Sequence, residues 1–138
     1  MDYLALLPHQ PPMRLVEEVV ALVPGERARC RRLAHADDFY FKGHFPGEQI
    51  VPAIVLVELL AQTGGLAAGA PRAGAPALPM RLRVAALGPF KFHSPAGPGV
   101  MLEASARVVG RLGGMVKIEG EVTGDGRLLA TGSVMLAG

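Results

Sequence analysis

The chain has 138 residues, of which 50% are hydrophobic and 19% are charged, and its formal net charge is +2. This composition excludes a disordered chain and predicts one globular domain over residues 1–138, long enough to bury a core. No Lys/Arg cluster is interleaved with aromatic residues, which argues against nucleic-acid binding. The single cysteine, Cys30, cannot form an internal disulfide. Because no signal peptide is recognisable either, we expect a cytoplasmic protein.

The first predicted element is a β-hairpin. Residues 14–23 (RLVEEVVALV) are rich in Val and Leu, and the turn signal PGE follows at 24–26. In the next run, RARCRRLAH at 27–35, arginines alternate with other residues. This alternation predicts a strand whose arginines lie mainly on the solvent face.

A long helix follows a loop-like stretch at residues 36–50. Pro52 suits the first position of a helix, which we predict to end near Ala68. The apolar stretch 50–70 is about as long as a membrane span, but Glu58 near its middle would be costly in lipid. We therefore predict no membrane insertion and interpret the segment as the buried central helix of a domain.

After a loop rich in Pro, Gly and Ala, the hydrophobic period changes to two. The turn signals GRLGG and GDG separate the last three of four predicted strands, which cover residues 80–87, 100–110, 115–122 and 127–136. Two strands, one helix and a run of antiparallel strands predict an α+β fold, in which a curved sheet wraps around the helix.

Two polar residues of the helix stand out from its apolar sequence. Glu58 and Gln62 are four residues apart and share one helical face. Glu58 is either a paired structural carboxylate or a catalytic acid, and His44, in the upstream turn GHFPG, is either a turn residue or a base. A helix N-terminus adds unpaired N–H groups. An acid, a base and an oxyanion site together would suit proton abstraction next to a carbonyl.

Four segments carry a resemblance to a known family, and the similarity extends from Leu6 to about Leu136. They are LPHQPPMRLVEEV (7–19), FYFKGHFPG (39–47), VPAIVLVELLAQTGG (51–65) and GPFKFHSPAGPGVMLEASARV (88–108). In order and spacing they resemble the 3-hydroxyacyl-ACP dehydratases of type II fatty acid synthesis, of the FabZ type.

The resemblance implies a hot-dog fold, a homodimer and commonly a trimer of dimers, with each active site at a dimer interface. It implies a substrate carried on the phosphopantetheine arm of acyl carrier protein or coenzyme A, and no cofactor or metal. By position, His44 matches the catalytic base of one subunit and Glu58 the catalytic acid of the other. The Ala53 N–H matches the group that holds the thioester carbonyl, and Gln62 an amide that orients Glu58 or the departing water.

Further residues are candidates for the acyl tunnel and the carrier contact. Each is also explicable as an ordinary core aromatic or a solvated charge. The tunnel candidates are Phe39, Tyr40, Phe45, Phe90 and Phe92, and the carrier or phosphate candidates are Arg81, Arg83, Lys91 and His93.

The chain departs from the family pattern at two positions, Gln49 for a proline and Ala53 for a glycine. An alanine retains the N–H but would interfere if a positive φ were required.

Three functions therefore compete. The first is a fatty acid dehydratase, and the second a thioesterase or a dehydratase of secondary metabolism. The third is a poorly active subunit that binds the acyl carrier. An acid role requires apolar surroundings for Glu58, because an ordinary glutamate, with a pKa of roughly 4.3, is ionised at neutral pH.

Overall fold

A six-stranded antiparallel sheet and one long helix dominate the part of the chain that the computed structural model describes, residues 2–43, 47–72 and 81–138. The strands are β1 (Glu18–Val23), β2 (Arg27–Leu33), β3 (Arg83–Phe92), β4 (Met101–Leu112), β5 (Met115–Gly124) and β6 (Arg127–Ala137). Helix α1 covers Ala53–Gly69, and single 3-10 turns lie at Tyr3–Leu6 and Phe39–Phe41. The strand order across the sheet is β1-β2-β4-β5-β6-β3.

The predicted hairpins are confirmed. Strand β2 pairs with β1, and its residues alternate between the solvent face and the face that packs on the helix. Strands β5 and β6 are joined by Asp125 and Gly126, whose φ angles are 51° and 71°. Two successive positive φ angles define a type I′ turn, which matches the twist of the flanking strands. The GDG sequence therefore forms the predicted turn.

Helix α1 packs in the concave face of the sheet. Leu59, Leu60 and Leu66 are fully buried, and each such side chain contributes roughly 1.5–3 kcal/mol of hydrophobic stabilisation. A Cβ added at Gly64 would lie 2.6 Å from Cγ2 of Ile118 in β5. The absence of a side chain at this position thus allows the helix and the sheet to approach closely. The α+β fold, with its sheet wrapped around one helix, is confirmed.

Within the described residues, no helix is long and apolar enough to cross a membrane.

One end of the helix and one edge of the sheet remain uncovered in the single chain. Ile54, in the first turn of α1, is 77% exposed. Among the described strands, β3 lies at the edge next to β6. Its residues Val84, Leu87 and Phe92 expose large apolar side chains. Strand β3 also continues beyond the predicted 80–87, because pairing with β6 extends to Phe92.

Candidate active site

Gln62 holds the carboxyl group of Glu58. The Gln62 side chain is only 1% exposed, and its Nε2 donates to Glu58 Oε1 at 3.0 Å and to the carbonyl oxygen of Met13 at 2.8 Å. Its Oε1 accepts the N–H groups of Leu15 at 2.8 Å and Val16 at 3.3 Å. The amide is therefore saturated, and it fixes Glu58 against the segment that precedes strand β1.

A histidine that the sequence does not single out contacts the same carboxyl group. Nε2 of His9 lies 3.3 Å from Oε1 of Glu58. His9 and Glu58 share a narrow cleft with residues of the helix and of β3 and β6, lined also by Leu7, Pro8, Ala61, Gln62, Gly65, Leu82, Arg83, Val84 and Leu136. Most of this lining is apolar. In the single chain, however, 30% of the Glu58 side chain is still exposed, so the apolar enclosure that the sequence predicts is incomplete.

The N-terminus of α1 is the predicted oxyanion site, and in its first turn the Val55 N–H donates to the Pro52 carbonyl oxygen at 3.0 Å. The helix begins at Ala53, and Pro52, which caps it, makes no side-chain cap hydrogen bond. The first N–H groups of a helix have no acceptor within the helix. Ala53 lies inside the helix and does not have a positive φ, so its methyl group is compatible with the backbone at the position where the family has glycine.

A buried ion pair anchors the segment that leads to the predicted base. Nη2 of Arg32 donates to Asp38 Oδ1 at 2.6 Å, and the Tyr40 hydroxyl donates to Asp38 Oδ2 at 2.6 Å. Nη1 of Arg32 donates to the carbonyl oxygen of Leu15 at 3.1 Å. His44 and Phe45 lie outside the described residues, so their predicted roles stay predictions.

Burial and hydrogen bonding both shift the pKa values of Arg32 and Tyr40. Burial alone would lower the pKa of Arg32, but its hydrogen bonds to Tyr40 and Asp38 outweigh that effect and raise it. Burial, with a further contribution from Asp38, raises the pKa of Tyr40 to about 12. Arg32 therefore remains a cation, and Tyr40 remains a hydrogen-bond donor, throughout the neutral range. The hydrogen bond from the Tyr40 hydroxyl to Asp38 thus helps to hold the 38–41 turn in place.

Two of the other predicted residues lie beside the helix N-terminus. Phe92 and His93 line a shallow depression together with Ala53. Nε2 of His93 also lies 3.3 Å from the Thr131 hydroxyl. Phe90 stacks on Phe92 with ring centroids 6.0 Å apart.

The remaining predicted residues are more scattered. Arg83 lines the Glu58 cleft, whereas Arg81 and Lys91 are exposed on the surface. Phe39 is half-exposed and packs edge-to-face on Tyr40. The structure therefore brings together Glu58, Gln62 and Arg83 in one place and Ala53, Phe92 and His93 in another.

The comparisons with known proteins give the family. A sequence model described as the FabA-like domain matches residues 7–133. The chain belongs to the FabA-like family. It is 33% identical over 137 residues to the 3-hydroxyacyl-[acyl-carrier-protein] dehydratase FabZ of Roseiflexus sp. (strain RS-1), a match that covers 99% of this chain and 93% of the relative. The FabZ of Roseiflexus castenholzii (strain DSM 13941 / HLO8) is also 33% identical, with the same coverage.

Solved structures share the fold of this FabA-like chain. The dehydratase heterocomplex ApeI:P from Xenorhabdus doucetiae matches with a TM-score of 0.80 at 19% identity, over 99% of this chain and 90% of that one. The PaaI protein of the E. coli phenylacetic acid degradation operon matches with a TM-score of 0.67 at 15% identity, over 88% and 82%. The predicted hot-dog fold is confirmed, and the FabZ relatives confirm the predicted family and its enzyme class, a hydro-lyase.

Sequence reasoning missed His9, Arg32 and Asp38. A signal for Arg32 was present, because it occupies an inward position in the alternation of β2 and a buried guanidinium requires a carboxylate. His9 had no comparable signal, since no spacing in the sequence relates residues 49 positions apart. Among the described residues, no group of three or more His, Cys, Asp or Glu side chains could hold a metal ion.

Proposed function

We propose that this FabA-like protein removes water from a 3-hydroxyacyl thioester and forms the trans-2-enoyl thioester, as in type II fatty acid biosynthesis. The substrate would be carried on the phosphopantetheine arm of acyl carrier protein or coenzyme A. One observation carries the proposal: a carboxyl group, that of Glu58, held by a saturated amide in a mostly apolar cleft. The relatives named 3-hydroxyacyl-[acyl-carrier-protein] dehydratase support the choice of substrate.

In the proposed reaction, Glu58 is the acid. The Gln62 amide donates to Oε1, so Oε1 is the accepting oxygen and Oε2 is the oxygen that can carry a proton. Glu58 gives this proton to the 3-hydroxyl group as the carbon–oxygen bond breaks, and water leaves. An acid in this position contributes roughly 10²–10⁴-fold to the rate.

His44 is the proposed base, an assignment that rests on the GHFPG motif. It takes the proton from the carbon next to the thioester carbonyl, and the electron pair left behind forms the new double bond. During this step negative charge develops on the carbonyl oxygen. The Ala53 N–H, at the positive end of the helix dipole, would stabilise that charge.

The active protein would be a homodimer paired along strand β3. This strand is one edge of the sheet and exposes Leu87 and Phe92, and exposed Ile54 lies on the uncovered end of the helix. An exposed apolar edge strand invites pairing with another chain. A second copy there would also complete the apolar enclosure of Glu58. His44 of one subunit would then serve Glu58 of the other, and three such dimers could assemble into a hexamer.

The first test identifies the product. Purified protein is incubated with a 3-hydroxyacyl thioester while enoyl absorbance is followed, with His44→Ala and Glu58→Gln as controls. We expect enoyl product from the wild type and almost none from either variant. Carrier binding without turnover would contradict the proposal and indicate a binding subunit.

Thioester hydrolysis is the second candidate, and the exposure of Glu58 favours it. A carboxyl group that is 30% exposed to solvent could remain ionised and activate water. The same assay separates the two reactions, since hydrolysis releases a free acid and a thiol. A pH–rate profile separates them again, because hydrolysis needs ionised Glu58 and dehydration needs protonated Glu58.

The dimer is tested by mixing two inactive variants, His44→Ala and Glu58→Gln, after unfolding and refolding them together. If each site takes its two groups from different subunits, a mixed dimer has one intact site. Random pairing then restores about a quarter of the wild-type activity, by the two-fold symmetry of the dimer. If both groups came from the same subunit, mixing would restore nothing.

A further inference from the structure

His9 is placed beside Glu58 by elements that are independent of the helix. Leu6 and Leu7, which precede His9, are buried in the core. The turn that follows His9 is closed by a hydrogen bond of 2.9 Å, in which the Arg14 N–H donates to the Gln10 carbonyl oxygen. Proline flanks His9 on one side and follows Gln10 on the other, which limits the backbone conformations of this segment. The imidazole is therefore held from both sides of the chain.

The contacts of His9 and Gln62 fall on the same carboxyl oxygen. Nε2 of His9 is 3.3 Å from Oε1 of Glu58, and Nε2 of Gln62 is 3.0 Å from that atom. Neither contact involves Oε2. The 3.3 Å contact of His9 lacks the geometry of a hydrogen bond, unlike that of Gln62. Catalytic contacts in free enzymes are often poorly aligned and tighten when substrate is bound.

The surroundings of the ring favour the tautomer with the proton on Nε2. Nδ1 of His9 is buried and has no hydrogen-bond partner in residues 2–43, 47–72 and 81–138. A buried N–H without an acceptor is costlier than a buried lone pair without a donor.

We propose that His9 is a positioning residue of the dehydration, an Nε2–H donor to Oε1 that keeps the reactive proton of Glu58 on Oε2. This inference rests on the proposed function. Two donors on Oε1, from His9 and Gln62, make that oxygen the carbonyl oxygen of the protonated carboxyl group. When Oε2 gives its proton to the departing hydroxyl group, the same two donors stabilise the carboxylate that remains.

The experiment compares His9→Leu, which removes the donor, with His9→Gln, whose amide nitrogen can occupy the place of Nε2. We expect kcat for enoyl formation to fall about tenfold to a hundredfold in His9→Leu, the effect of losing a hydrogen bond to a charged group. KM should change little. The pH–rate profile of His9→Gln should match that of the wild type, because no charge change of His9 is involved, and its kcat should recover most of the loss.

A wild-type kcat in both His9→Leu and His9→Gln would overturn the inference. A low kcat in both variants, together with the loss of one limb of the pH–rate profile, would also overturn it. In either case Glu58→Gln would still be inactive, so a failure here is distinct from a failure of the proposed function.

Nitrogen-15 NMR of labelled histidine gives a second readout that does not depend on the folding of His9→Leu. The His9 signal, identified by its absence in His9→Gln, should show protonated Nε2 and bare Nδ1 between about pH 6 and 8. Protonation of both nitrogens there would contradict the assignment.

Discussion

Two carboxyl groups, Asp38 and Glu58, lie on opposite sides of the 13–16 segment and have very different surroundings. Asp38 accepts from Arg32 on one oxygen and from the Tyr40 hydroxyl and the His35 N–H on the other. Glu58 meets Gln62 and His9 on one oxygen only. Leu15 joins the two sites, because its N–H donates to Gln62 and its carbonyl oxygen accepts from Arg32.

Under the proposed function, Asp38 is a structural carboxyl group and Glu58 a catalytic one. Asp38 faces a permanent cation and has both oxygens occupied, so a change of its protonation would break several contacts. Within the part of the chain that the structure describes, the hydrogen bond of Glu58 to uncharged Gln62 and its contact with His9 both fall on Oε1. We therefore expect substitutions at Asp38 to change stability first, and substitutions at Glu58 to change activity first.

The largest stability effect is expected for Asp38→Asn. This change keeps the shape of the side chain but removes the carboxylate charge that lies 2.6 Å from Nη2 of buried Arg32, and leaves the more distant Glu17 Oε2 at 3.9 Å from Nη1. Breaking a buried ion pair costs about 3–5 kcal/mol. The free energy of unfolding in urea measures it. Glu119→Gln is the matched control, because Glu119 and Arg107 form an exposed pair at 3.6 Å, and such pairs contribute less than about 1 kcal/mol. Equal losses in the two variants would remove the distinction between the sites.

An intermediate effect on stability, joined to a loss of activity, is expected for Gln62→Leu. The change leaves the buried N–H groups of Leu15 and Val16 without the oxygen that accepts them, which costs about 2–4 kcal/mol. It also releases Glu58, so kcat should fall. Thr63→Val is the control, since the buried Thr63 hydroxyl donates to the Leu59 carbonyl oxygen of its own helix and also interacts with the Cys30 thiol, and neither contact involves Glu58. A stable but inactive Gln62→Leu variant would mean that Gln62 serves Glu58 alone.

The smallest effect is expected in alkaline solution. Burial raises the pKa of Tyr40 from 10.0 to about 12 and that of the Cys30 thiol from 9.0 to about 11. The unfolded chain therefore loses these protons at lower pH than the folded one. The stabilisation is complete below about pH 9 and is lost as the pH rises towards 12, by at most about 2–3 kcal/mol for each group.

Urea unfolding at several alkaline pH values measures this loss. Tyr40→Phe and Cys30→Ala should each remove their own share of the pH dependence. A free energy of unfolding that stays constant from about pH 8 to 11 would show that neither group resists ionisation in the folded protein.

The sequence predicts the fold well because its signals are local and mutually consistent. Alternation in β2, the GDG turn and the uninterrupted apolar helix each predict one element, and those elements leave few ways to bury the helix. The prediction of β3 is less accurate at its end, because Phe90 and Phe92 follow Gly88 and Pro89, which are turn residues in most contexts. Pairing with β6 overrides that local preference.

The candidate site is only partly accessible to sequence reasoning. Glu58 and Gln62 are four residues apart on one helix, so their contact is predictable from helical geometry. His9 reaches Glu58, and Arg32 reaches the Leu15 carbonyl group, only through the tertiary fold. Ala53 departs from the pattern that the resemblance implies, and its helical backbone, without a positive φ, accommodates the methyl group.

The most direct test of the account compares wild type and Glu58→Gln in enoyl formation from a 3-hydroxyacyl thioester, with the free energy of unfolding measured on both proteins. We predict that Glu58→Gln slows enoyl formation by roughly a thousandfold, as expected for the loss of a general acid. Its stability should stay within about 1 kcal/mol of the wild type. Full dehydratase activity in Glu58→Gln, or release of free acid and thiol by the wild type, would contradict the assignment of Glu58 as the acid.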